Sequence, residues 1–82
     1  MTTELWNAFV YFQGREPTTD EKMKIVKDHR NRLLIECDWT QLPDAVLTGA
    51  ERTAWQDYRQ ALRDIPQTYP NPDDVVFPVR PQ

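Results

Sequence analysis

Glycine occurs only twice in these 82 residues, and cysteine and histidine once each. With Gly14 and Gly49 alone, no glycine-rich loop can cradle a phosphate. A single cysteine, Cys37, forms no internal disulfide and supplies no metal framework. His29 and Cys37 fall on one expected helix, about 12 Å apart along its axis, whereas a nucleophile and its base need contact at ~3 Å. The scattered carboxylates lack the ligand clustering of a zinc site. Asp73–Asp74 has no further carboxylate close by in sequence and reads as a solvated turn rather than a cation site. No catalytic, cofactor-binding or metal-ligating set emerges, so the chain is not expected to be an enzyme.

Other absences narrow the partners. No apolar run approaches 18 residues, so no segment reads as a membrane span. The first residues carry Glu4 where a secretory leader would carry positive charge, and no signal is read there. The free thiol then suits a reducing cytosol. Tyr11–Gly14, "YFQG", matches part of a protease recognition sequence, but the rest of that sequence is missing and the segment is read as native. The formal net charge is −3, which disfavours nucleic acid as a partner, because phosphate binding relies on clustered Lys and Arg.

What is present is one small domain, 39% hydrophobic and 28% charged. Below about 80 residues a core rarely supplies more than ~3–5 kcal/mol without a staple. The fold class expected is mainly α: a helical hairpin over residues 18–66, an aromatic extended segment at 1–17 and a proline-rich extended tail at 67–82. In "ELWNAFVYFQ" (4–13), aromatic and β-branched residues argue for a short strand, with Trp6, Ala8, Val10 and Phe12 on one side and Leu5, Phe9 and Tyr11 on the other, or for an adhesive segment that awaits a partner; a helix is the alternative that the aromatics disfavour. Gly14 and Pro17 then punctuate the chain. A first helix is expected at about 18–37, opened by a capping box of Thr18 and Glu21. Its inward stripe is Met23, Val26, Arg30, Leu33, Leu34 and Cys37, flanked by Ile25 and His29. Residues 38–48 read as a loop broken by Pro43 and anchored by Trp39, Leu42, Val46 and Leu47. Thr48 and Glu51 form a second capping box for a helix at 49–65. Its stripe is Ala50, Ala54, Trp55, Tyr58, Ala61, Leu62 and Ile65, with Asp57, Arg59, Gln60 and Arg63 away from its centre. Pro66 ends it. Of the arginines, Arg30 falls within an apolar stripe and is expected to bond loop carbonyls or Asp38.

After Pro66, prolines recur at 70, 72, 78 and 81, so the segment is extended and stiff. Only Asp74–Phe77 has strand character. The segment either folds back, with Val76, Phe77 and Val79 covering Trp55 and Tyr58, or docks on another chain as an added strand or extended ligand.

The stretch from Arg30 to Pro81 resembles the phage tail assembly chaperone family, a module also found at the end of tail-fibre-associated proteins of tailed phages. The matching pieces are R-x-x-L-L at Arg30–Leu34, C-D-W-T at Cys37–Thr40, L-P-D at Leu42–Asp44, W-x-x-Y-R-Q-A-L-R-D-I-P at Trp55–Pro66, Y-P-N-P at Tyr69–Pro72 and V-F-P-V-R-P at Val76–Pro81. Where the family usually has tryptophan before the last prolines, this chain has Phe77. Residues 1–29 carry little of the pattern. The resemblance implies a helper in building a phage tail or tail fibre that acts by protein contact. Its partner would be a tail-fibre or baseplate protein, with self-association as a further expectation, and its place the host cytoplasm during assembly or the virion tail.

Two roles compete, an assembly chaperone or adaptor and a permanent part of the fibre or baseplate. A third, a regulatory or nucleic-acid-linked module, is disfavoured by the charge. The residues expected to meet a partner are Trp6, Phe9, Tyr11 and Phe12 near the start, Trp55 and Tyr58 on the second helix, and Tyr69, Val75, Val76, Phe77 and Val79 in the tail. Loss of residues 67–82 is expected to abolish client binding and spare the helices.

Overall fold

Two capping boxes set where the main helices begin. The Thr18 and Thr48 hydroxyls accept the backbone N–H of Glu21 and Glu51 at 3.2 and 3.1 Å, and each glutamate accepts the threonine N–H in return at 2.9 Å. The computed structural model describes residues 3–81, with side chains from Leu5 onward. In order they form α1 (Thr3–Gln13), α2 (Thr19–Glu36), a 3-10 turn at Asp38–Gln41, α3 (Gly49–Arg63), the single turn α4 (Ile65–Thr68) and a second 3-10 turn at Pro72–Asp74. No strand occurs among the described residues. The chain is mainly α, as its sequence implies.

The N-terminal segment is the first correction. It is helical, not extended; residues 1–2 of that expected segment lie outside the described residues. A strand needs a neighbour to satisfy its backbone, and none is on offer. A helix satisfies its own and still gathers Leu5, Trp6, Phe9 and Val10 onto one side, where Trp6 is buried and the others are half-buried. Gly14 ends the helix with φ of +69°, and its N–H bonds to the Val10 carbonyl at 2.8 Å. Glycine carries this left-handed cap without a Cβ penalty.

α2 is the central element. It packs against α1, α3 and both 3-10 turns. Val26 and Cys37 are fully buried on it, with Met23, Ile25, Leu33 and Leu34 packed around them. α3 contributes Trp55, Tyr58, Arg59 and Leu62, and α4 adds Ile65. Its face is therefore turned from the expected stripe: Ala50, Ala54 and Ala61 are exposed, while Arg59 is buried. α3 stops at Arg63, and Pro66 sits in the first turn of α4, where a missing N–H costs nothing.

The α2–α3 connection keeps two of its four expected apolar anchors, Trp39 edge to face with Trp55 and Leu47 against the core, and is held by hydrogen bonds as well. Trp39, Leu42 and Val46 are exposed and only Leu47 is half-buried. Thr40 is buried instead; its hydroxyl donates to the Cys37 carbonyl at 2.7 Å and accepts from Gln41 Nε2 at 2.9 Å. An Arg52 N–H donates to the Ala45 carbonyl at 2.7 Å.

The proline-rich segment folds back. It has no strand at Asp74–Phe77: Pro72–Asp74 is a 3-10 turn, and an extended strap, residues 75–81, follows. Gln82 lies outside the described residues. The strap runs along α2, with Lys22 Nζ donating to Asp73 Oδ1 at 2.9 Å at its start and Phe77 against His29 further on. Val75 is 3% exposed and completes the core. The body remains elongated, 46 × 23 × 17 Å, with a radius of gyration of 14.8 Å against about 12 Å for a compact chain of this length.

Candidate partner-binding surfaces

The residues expected to grip a partner divide by depth. Trp6, Trp55, Tyr58 and Val75 belong to the core and present little surface. Trp55 lies between Trp39 and Tyr58, with ring centroids 5.9 and 5.8 Å away in edge-to-face geometry. Burial pushes the Tyr58 phenol up from its ordinary range. Phe9, Tyr69 and Phe77 are half-buried, Phe9 beneath the Arg15 guanidinium at 5.0 Å. Tyr11 and Phe12 are 82% and 78% exposed and pack edge to face at 5.1 Å. Val76 is also exposed, and Val79 is 92% exposed.

The strap folds back, but of the three residues expected to cover Trp55 and Tyr58 only Phe77 turns inward, and it meets His29 on α2. Val75 and Phe77 turn inward, and the Arg80 guanidinium lies 5.4 Å from the Trp55 ring centroid. Val76 and Val79, expected to cover Trp55 and Tyr58, face outward. With Ala61, Ile65 and Tyr69 they line an open cavity of about 490 Å³, to which Asp64 also contributes. A smaller cavity of about 260 Å³ separates α1 from α2, lined by Leu5, Ala8, Ile25, Asp28, His29 and Arg32.

Arg59 is the residue that sequence reasoning misplaced. It takes the structural role expected of Arg30, which merely donates to Asn31 Oδ1 at 3.0 Å. From α3, Arg59 Nη1 donates to the Leu34 carbonyl at 2.9 Å and to Cys37 Sγ at 3.1 Å, and Nη2 pairs with Asp38 at 2.9 Å. Burial works against the charge, but the bonds to Cys37 and Asp38 outweigh it. The fork thus closes the C-terminal end of α2, where carbonyls lack helical partners. Its spacing was the available signal, since Arg59 falls between Trp55 and Leu62 on the inward side.

Among the described residues no three His, Cys, Asp or Glu side chains are grouped as a metal site. Nor is any helix long and apolar enough to cross a membrane. The described surface thus offers apolar contact on a helical body. Residues 23–82 match a family model described as phage tail assembly chaperone protein. The chain belongs to that family. No curated protein and no solved structure matches it. The match places the protein in phage tail assembly. The family portion begins inside α2 and includes α3, the Arg59 cluster and the strap, while α1 lies outside it. Tyr11 and Phe12 are thus carried by an element that the family match does not cover.

Proposed function

We propose that this tail assembly chaperone holds a tail-fibre or baseplate protein by apolar contact in the host cytoplasm, and releases it as the tail is built. Two exposed patches support the reading. One is the Tyr11–Phe12 pair with Phe9 beside it, and the other is the Val76–Val79 face with Tyr69 and Phe77 in its floor. Large exposed apolar side chains on a small acidic chain suit contact with protein. Trp6, Trp55, Tyr58 and Val75 serve the same reading from beneath, by fixing α1, α3 and the strap.

The experiment is co-purification from phage-infected cells with a tagged full-length chain. Tyr11→Ser with Phe12→Ser, and separately Val76→Ser with Val79→Ser, are expected to weaken client capture at least about tenfold, as loss of interface anchors does. Helical circular dichroism should be unchanged. Undiminished capture by both variants rejects the reading. Mass spectrometry of purified virions tests the release step, because abundant chain in mature particles would make it a permanent component instead.

A further inference from the structure

Burial along the strap repeats every three residues. Val75 is buried and Pro78 and Pro81 are half-buried, with Phe77 half-buried between them, whereas Val76 and Val79 face out. A β-strand would alternate every two residues; three per turn is the period of polyproline II. Val75 enters with φ −61° and ψ 127°, close to that conformation. No backbone N–H of Val76–Arg80 is hydrogen-bonded to another backbone group among the described residues, as polyproline II requires. The strap therefore lies in the groove between α2 and α3 as a stiff ligand would. Phe77 meets the His29 ring edge to face at 4.8 Å, Pro78 rests beside Ala61 and Ile65, and Arg80 stacks over Trp55. Proline set in an apolar groove, beside a cation over an indole, resembles the way proline-rich segments are recognised between separate chains.

We propose that the α2–α3 groove is a receptor for an arginine-bearing polyproline II segment, filled in cis by Val75–Pro81 and open to exchange with the same segment of a second copy. The occupant is identified by what sits there: a second copy presents the identical side chains, so an exchanged pair regains every contact. Tethering gives the cis strap an effective concentration on the order of millimolar. Exchange is thus a property of crowded protein or of a shortened tether. The tether is short and stiff, since only Tyr69–Asn71, with Pro70 inside it, joins α4 to the Pro72–Asp74 turn. No phage protein is required, so the proposal stands or falls separately from the client reading.

The test uses the full chain and a labelled synthetic peptide of residues 72–82. Saturable binding to the unsubstituted chain is expected, at least tenfold tighter to a Phe77→Ala/Arg80→Ala chain whose own strap competes less. A peptide with Pro78→Gly and Pro81→Gly should bind at least tenfold more weakly. Removing Pro70 and Asn71 shortens the tether by about 7 Å and should convert the chain to a dimer in sedimentation, which excess peptide returns to monomer. Failure of the peptide to saturate any folded chain, or a shortened chain that stays monomeric, overturns the proposal. Should the double variant lose its helical signal, the unsubstituted titration and the shortened chain decide.

Discussion

At Arg59 a cation stands where the helix pattern would put an apolar side chain between Trp55 and Leu62. It is 9% exposed, and its Nε is buried without a hydrogen-bond partner among the described residues. That orphan donor costs stability, and the three bonds from Nη1 and Nη2 offset it. Asp38 is largely exposed, so the ion pair itself contributes little. The bonds to the Leu34 carbonyl and Cys37 in the interior matter more. Arg59→Ala is therefore expected to cost about 1.5–3 kcal/mol, the range for hydrogen bonds to charged groups. Arg59→Lys should recover only part, because an ammonium cannot reproduce the planar fork. Urea denaturation of the two variants checks both. The sequence pointed to Arg30 because it falls within the stripe of α2, whereas Arg59 was read as lying off the centre of the stripe of α3. Only the packed geometry shows which arginine meets the end of α2.

The helix starts were legible because a capping box is local chemistry, complete within four residues. Glu21's box is backed by a further partner, Arg15. The Arg15 guanidinium, donating at 2.8 Å, and then the Thr18 N–H lower its pKa from the ordinary 4.5 to about 2. A depressed carboxyl stabilises the fold fully above its unfolded pKa. That contribution shrinks as pH falls from about 4.5 and is gone below about 2. Glu21→Gln keeps a bonding side chain but not the charge. The stability difference between the parent and this variant should thus be present at pH 6 and vanish near pH 2, measured by denaturant titration at each pH. α1 was less legible. Its aromatic and branched residues suit either conformation, and the choice depends on whether another strand exists to pair with. The loop at 38–48 was partly legible: Trp39 and Leu47 anchor it as expected, Leu42 and Val46 do not, and Thr40 and Arg52 add bonds to carbonyls.

For the whole molecule, a chain of this length is expected to have a core worth only a few kcal/mol. Its core in fact draws on α1 through Trp6 and on the strap through Val75, so the two ends supply what the hairpin lacks. Burial of Pro72 and Val75 also revises the effect of removing residues 67–82. Such a chain should lose stability and not only client binding. Trp55 joins α3, the α2–α3 connection and the strap, and Trp55→Ala is expected to cost about 3–5 kcal/mol, as for other buried rings. A thermal melt against the parent measures it. A variant as stable as the parent would place the indole outside the core.

Lys22 touches both ends of the chain at once. Its ammonium lies 5.8 Å from the Trp6 ring centroid while donating to Asp73. Loosening either terminus removes one of this lysine's two contacts, and the ion pair is a weak one because Asp73 is largely exposed. The first helix and the final turn thus share a neighbour on α2 without being locked to each other.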